Sequence, residues 1–296
     1  MIRVTEGSAS YGTLAGVESA ASRLAALQAK LSSGKQITTP SDDPSGTVRA
    51  LQLRADLSRG TAYDSSSTDA LGWMTASDTA YKQIVTLTQS AQTLVVQGLN
   101  TGASTGSSAG AIADQIDSIR KSLISVANTT YNGRPVFGGT TAGATAYDAS
   151  GSYVGDSGAV MRAVGPQSTV QINQTGPQVF GDTTTGSDLF TLLGNISTAL
   201  RSGNSATLST DLGSLGSALA TVSSAQAAEG ATYKRVQTTQ TAQATTTLST
   251  QSQLSDIQDI DIAQMAVQVT TANTNYQAAL QTMASIRQTS LLDFLH

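Results

Sequence analysis

Ile262, Met265, Val269, Ala272, Tyr276, Ala279, Met283, Ile286 and Ser290 follow one another at steps of three and four without a break. This is the narrow a/d seam of a coiled coil, not the wider apolar face of a helix docked on a globular core. The first helical stretch repeats the pattern with Leu14, Val17, Ala21, Leu24, Gln28 and Leu31. A seam this thin buries too little apolar surface to offset the entropy of ordering its helix. Neither end is expected to be stable alone. The two ends are expected to pair with each other or with neighbouring subunits, and to fray in the isolated chain. Leu14, Val17, Leu24, Leu31, Met265, Val269, Ala272, Tyr276, Ala279, Met283 and Ile286 are therefore the candidate assembly seam. A chain with a sticky stripe at each end implies a subunit held by other protein.

Composition removes most other function classes. Of 296 residues only 12% are charged and 4% aromatic, and the net charge is −4. With no basic run, the electrostatic footprint of a nucleic-acid binder is missing. No apolar run reaches membrane-spanning length, so no membrane partner is expected. The opening MIRVTEGSASYG lacks the apolar core and cleavage site of a secretory signal, so any export is expected to bypass the general secretory route. Cysteine is absent and the one histidine is His296. Thiol nucleophiles, disulfides, thiolate metal sites and a triad built on an internal histidine are excluded. No cofactor and no resident metal are expected.

The prolines, Pro40, Pro44, Pro135, Pro166 and Pro177, leave 45–134 and 178–296 free of the strongest helix breaker. Val48, Leu51 and Ala55 begin a helix that Trp73, Ser77, Ala80, Ile84, Leu87, Ala91, Leu94 and Gly98 continue, with Trp73 expected in the core. A Gly/Ser/Thr loop around 101–110 precedes another helix on Ile112, Ile116, Ile119, Leu123 and Val126. From Tyr131 to Gly186 the period changes. Asn132-Gly133 and Asp148 to Gly151 are turn signals, and Val170 with Ile172 mark one face of a strand. Helical periodicity returns at Leu189, Leu192, Leu193 and Ile196. It then runs through Leu208, Leu212, Leu215, Leu219, Val222, Gln226, Glu229, Tyr233 and Val236. The predicted fold is mainly α: a long antiparallel helical bundle with a small inserted β-rich domain. Its boundaries are 1–43 and 260–296 for the terminal coiled-coil region, 44–137 and 186–259 for the bundle core, and 138–185 for the insert. The insert is expected to be a solvent-facing module whose replacement by a short linker leaves the bundle folded.

The sharpest local motif joins Leu31-Ser-Ser-Gly-Lys35 to Thr39-Pro-Ser-Asp-Asp-Pro44. Gly34 ends the first helix, Asp43 caps a helix that starts at Pro44, Pro40 bends the connection, and Asp42 adds charge near the positive dipole end. A paired-carboxylate acid/base site is the competing reading, but no partner constellation accompanies these acids. Asp256, Asp259 and Asp261 lack the glycine and terminal glutamate of a calcium loop, so charge at the start of the last helix is the simpler reading. Gly138-Gly139 is too short for a phosphate loop. Glu229, near Lys234 and Arg235, is expected in a salt bridge within the bundle or between subunits.

Taken in order, these residues resemble the flagellin superfamily, and within it the hook-associated protein 3 (FlgL-type) family. The resemblance rests on MIRVT at 1–5, LSSGK at 31–35, PSDDP at 40–44 and YNGRPVFGG at 131–139. It also rests on Glu229-Gly230 with Arg235, and on the tail from Asp259-Ile-Asp-Ile-Ala263 to Ser290-Leu-Leu-Asp-Phe-Leu295. It covers both ends and the bundle, while 140–185 match only in character and Gly7-Ser-Ala-Ser10 is smaller and more polar than the family's pattern. The resemblance implies a structural subunit of the bacterial flagellum at the hook–filament junction, self-associated as a tube between hook-associated protein 1 and flagellin. It further implies an extracellular location, a cytoplasmic export chaperone, and unfolded export by the flagellar type III route without signal cleavage. Filament flagellin is the alternative, against which PSDDP, MIRVT and the LLDFLH ending argue. An enzyme housed in the insert is a third class, weakly supported because Asp148, Asp156 and Asp182 stand there without Glu or His.

Overall fold

The structure, a computed structural model, describes residues 3–100, 107–183 and 186–294, with side chains over 11–100, 108–183 and 186–285. The elements run α1 (Arg3–Ser33), α2 (Pro44–Asn100), α3 (Ser107–Ala127), β1 (Thr130–Tyr131), β2 (Arg134–Pro135), β3 (Met161–Gly165) and β4 (Ser168–Gln171). They continue with α4 (Gly176–Phe180), α5 (Leu189–Ser202), α6 (Ser205–Gln258) and α7 (Ile262–Phe294). Two compact units result, one of Met1–Arg59 with Thr246–His296 and one of Gly60–Thr245. The dividing points fall inside α2 and α6, whereas the sequence reading put boundaries at 43/44 and 259/260. Proline and glycine mark where a helix starts, but contact density decides where a unit ends.

In the unit of Gly60–Thr245, α2 and α6 run antiparallel. The Gln226 side-chain amide donates to Asp78 at 2.9 Å and that of Gln240 to Asp64 at 2.9 Å. Leu208, Leu215, Val222, Glu229 and Val236 are buried at intervals of seven, the heptad repeat of a packed helix pair. Trp73, Ser77, Ala80, Ile84 and Ala91 are buried on the facing α2 stripe, as the sequence spacing required. Alongside them, α3 packs on α5. Arg201 ties the two together through Asp114 at 2.6 Å and Asp117 at 2.9 Å.

The small strand region that the turn residues called for is present, but segment 138–183 is far less separate than they suggested. Its regular sheet is the β3–β4 hairpin, with one further bridge between Tyr147 and Tyr153. The β1–β2 hairpin precedes it. Asn132 at φ 49° and Gly133 at φ 77° make the two-residue turn that Asn-Gly predicts. What organises the segment is an aromatic hub. Phe137 meets Tyr81 and Phe180, and Tyr147 meets Phe180 and Phe190, all edge-on at centroid distances of 4.9–5.4 Å. Asn128, at the end of α3, clasps the segment by accepting from Ala146 N and Tyr147 N and donating to Tyr147 O. Val164, Val170, Ile172 and Val179 join the same core as Trp73 and Leu193. The segment is a wall of the bundle's core and not an appended module. Short strands read as a domain in sequence because aromatic side chains 40 or so positions apart carry no local periodicity.

Glu229 is the anomaly in this core. It is 7% exposed, its Oε1 has no hydrogen-bond partner, and it makes no ion pair with Lys234 or Arg235 among the described residues. Lys234 reaches Gln237 instead. Burial raises the Glu229 carboxyl from 4.5 to about 8, and the Ser77 and Tyr81 hydroxyls beside it pull it back only in part.

Two outcomes follow for this unit. Phe180→Ala should lower its stability by about 3–5 kcal/mol in chemical denaturation, and replacing 140–184 by a Gly/Ser linker should abolish its cooperative transition. The pH response comes from Glu229. The folded form holds its proton to a higher pH than the unfolded chain, so the stability it contributes is complete below about 4.5 and is lost as pH rises to about 8. Glu229→Gln should flatten that decline in melting temperature measured across the same range.

Candidate assembly surface

In the unit formed by the chain ends, two joints are stitched together. Gly34, at φ +69°, ends α1 in the left-handed conformation that a C′ glycine supplies. Ile260 N donates to Gly34 O at 3.1 Å, Gln36 N donates to Gln258 O at 2.7 Å, and Lys35 and Asp259 form an antiparallel bridge between these bonds. Arg54 reinforces the stitch by donating to the Gln258 side-chain carbonyl at 2.8 Å. The joint from α1 to α2 is thus hydrogen-bonded to the joint from α6 to α7.

The acids of PSDDP act as clasps. Asp43 caps α2, accepting from Gly46 N at 2.9 Å, while Thr47 N closes the first helical bond onto Asp43 O. A Cβ at position 46 would meet the Asp43 carboxylate and lie 2.8 Å from Ile37 Cδ1, which accounts for glycine there. Asp42 does more than add charge. It accepts from Thr39 N at 2.9 Å and from Thr38 N and Oγ1 at 2.9 and 2.8 Å, turning the chain back before Pro44. Those bonds, Thr39 N first, hold its carboxyl far below the usual carboxylate range. Pro40 lies exposed in that turn. Asp261 caps α7 through Ala263 N at 2.9 Å and Gln264 N at 3.1 Å, and Asp259 accepts from Ser255 at 2.6 Å.

From the stitch, α1 and α7 leave side by side and pack along their length. On α7 the positions withdrawn from solvent are Met265, Val269, Ala272, Tyr276, Ala279 and Met283, the stripe that the three-four spacing predicts. Met265 and Ala272 are buried, the others half-buried. The Ile286 side chain lies outside the described residues, and Ile262 is 68% exposed at the helix start. On α1 the predicted Val17, Leu24 and Leu31 are half-buried, but Leu14 is 40% exposed and Gln28 is exposed. The observed stripe runs through Thr13, Val17, Ala20, Leu24, Leu27 and Leu31. Both readings obey a three-four rhythm. The difference arises because a straight helix drifts about 20° per heptad against a 3.5 repeat, so the frame shifts toward the end. Early α2 shows the same correction: Ala50 is buried and Leu53 and Leu57 half-buried, while Val48 and Leu51, expected on the packed face, are 57% and 56% exposed.

Sequence reading missed Gln258, Ile260 and Arg54 as partners of the joint. No local signal could have found them, because their partners lie about 200 residues away. Two of the three acids that an enzyme reading of the insert needs, Asp148 and Asp156, are also clasps. Asp148 binds the backbone of Ser150 and Ser152, Asp156 that of Thr140 and Gly158, and each is held below the usual carboxylate range, the wrong direction for a general acid. Among the described residues no helix is long and apolar enough to cross a membrane.

Asp43→Ala should loosen the start of α2 and speed amide hydrogen exchange over residues 36–50, leaving exchange in α3 and α5 unchanged.

Known proteins share this arrangement. Residues 5–142 match the bacterial flagellin N-terminal helical region, and residues 212–295 match the bacterial flagellin C-terminal helical region. Flagellar hook-associated protein 3 of Salmonella typhimurium is 30% identical over 173 residues, covering 58% of this chain and 54% of that one. The Escherichia coli protein of the same name is 29% identical over 157 residues, covering 52% and 49%. The chain spans about half the length of the curated relatives it matches. The crystal structure of Bacillus cereus FlgL shares the fold, with a TM-score of 0.61 at 20% identity over 69% of this chain and 99% of that one. Matching both terminal helical regions in their proper order, the chain belongs to the bacterial flagellin family.

Proposed function

We propose that this chain is a structural subunit of the bacterial flagellum, of the hook-associated protein 3 type, joining the hook side to the filament. The observation that carries the reading is the apolar surface left over in the unit of chain ends. Beyond the packed stripe of Val17, Leu24, Met265 and Tyr276, the residues Tyr11, Ile262, Val267 and Leu280 on α1 and α7 and Val48, Leu51 and Leu248 on α2 and α6 face outward. Large apolar side chains left outside a thin helix pair call for burial by other copies. The two curated relatives, both named hook-associated protein 3, favour the junction over the filament itself.

In this reading the α1–α7 seam holds each subunit's ends together, and the outward apolar residues hold subunit to subunit in a tube. Hook-associated protein 1 lies on one side and flagellin on the other. The chain acts as a scaffold without catalysis. It leaves the cell unfolded by the flagellar type III route, escorted by a chaperone, and works outside the cell.

Val267→Asp separates the two surfaces. It places a charge at a position 66% exposed in the single chain, so melting should match the parent protein. In a strain lacking the parental gene, the variant should be exported yet fail to support filaments, with flagellin recovered in the medium. Normal filaments by electron microscopy would reject Val267 as an assembly contact. Ala279→Asp, in the seam itself, should instead accelerate hydrogen exchange in α1 and α7 of the isolated subunit.

A further inference from the structure

A cavity of about 330 Å³ opens between α2 and α6 in the unit of Gly60–Thr245. Asp78 and Glu229 line it with the rings of Tyr81 and Tyr233, the Met74 side chain and the Gln226 amide. The feature that requires explanation is Glu229. It is more than nine-tenths buried, and Oε1 has no hydrogen-bond partner among the described residues. Buried polar atoms are almost always satisfied, so an orphaned carboxylate oxygen beside an open cavity points to a group supplied from outside.

The lining restricts what that group is. A carboxylate deep in the site, two phenol rings, a thioether and an amide carbonyl together suit a flat cation on an apolar stem. We propose that this cavity is a receptor for an alkyl-guanidinium group, the chemistry of an arginine side chain, with Glu229 as its counter-ion. The stem lies along Met74, and the guanidinium plane lies against a tyrosine ring and donates to Glu229. Asp78 at the mouth adds negative potential. Burial alone would raise its carboxyl, but bonds from Lys82 and Gln226 outweigh this and keep it below the usual range, hence ionised. The inference goes beyond the proposed junction role and does not depend on it.

Binding is coupled to a proton. In the protein alone, burial holds Glu229 mostly protonated at neutral pH, and the cation requires its anion. The other titratable or charged groups around Glu229 are Ser77's neighbours Asp78 and Tyr81 with Lys82 on α2, and Tyr233 and Arg235 on α6; the residues lining its far side, Gln171, Asn173, Gln174 and Gln178, do not titrate. Lys82 is engaged by Asp78, and burial pushes the Tyr81 hydroxyl far above its ordinary range.

The test is calorimetric titration of the full chain with butylguanidinium chloride. Saturable binding should tighten about tenfold from about pH 6 to about pH 7, with a heat that depends on the buffer's ionisation enthalpy as the Glu229 proton leaves. Glu229→Gln should weaken binding at least about tenfold at pH 8 and remove the pH dependence, its fold checked by circular dichroism. Tyr233→Leu should weaken binding several-fold and retain the pH dependence. No saturable binding, pH-independent binding, or equal binding by Glu229→Gln would overturn the proposal. Sedimentation distinguishes sources once binding is found. Self-association suppressed by butylguanidinium and missing in Glu229→Gln assigns the group to an arginine of a second copy. A monomer at all concentrations, with binding intact, assigns it to another molecule.

Discussion

Two backbone hydrogen bonds, Ile260 N to Gly34 O and Gln36 N to Gln258 O, govern how the ends of this chain fold. Each terminal helix carries a seam too thin to hold it in water, and pairing becomes favourable only when the partner is already close. The bridge between Lys35 and Asp259 supplies that closeness, because it starts α1 and α7 from the same point. The caps at Asp43 and Asp261, the clasp at Asp42 and the left-handed Gly34 all serve to hold the two joints in shape. The long seam downstream is then closed with little further loss of freedom.

Aspartates carry much of this local order. In a chain with 12% charged residues, Asp42, Asp43, Asp148, Asp156, Asp188 and Asp261 each accept from backbone N–H groups of their own loop or helix start. A carboxylate so placed satisfies donors that secondary structure leaves open. Glu229 is the opposite case. It occupies a heptad position in α6 where Leu, Val and again Val stand at the neighbouring repeats, and it is buried without satisfaction. The contrast is why the former group reads as architecture and the latter as a site.

The unit of Gly60–Thr245 depends on a different device. Although aromatic residues are only 4% of the chain, Tyr81, Phe137, Tyr147, Phe180 and Phe190 meet in one place. Edge-on pairs contribute about 0.5–1.5 kcal/mol each beyond the area they bury, so this hub holds the irregular segment to α2 and α5 without needing an extended sheet. In the terminal unit the packed stripe is thin, and Ile262, Val267 and Leu280 remain outside it.

The amino-acid sequence by itself determined the helices and their hinges. Pro44 with Asp43, Gly34, Asn132-Gly133 and the stripe from Met265 to Met283 are local rules of capping, backbone conformation and periodicity, and each appears where its residues dictate. The frame of α1 around Leu14 and Gln28 was not determined so, because two stripes related by helical drift fit the same residues and only the surface of α7 selects between them. Early α2 behaved likewise, with Ala50 inside and Leu51 outside, since closeness of approach rather than hydrophobicity chose the packed face. The stitch at Gln258, the absorption of 138–185 into the core and the isolation of Glu229 were decided by tertiary structure alone. Each joins residues many positions apart, and chain-distant contacts leave no periodic trace in a single sequence.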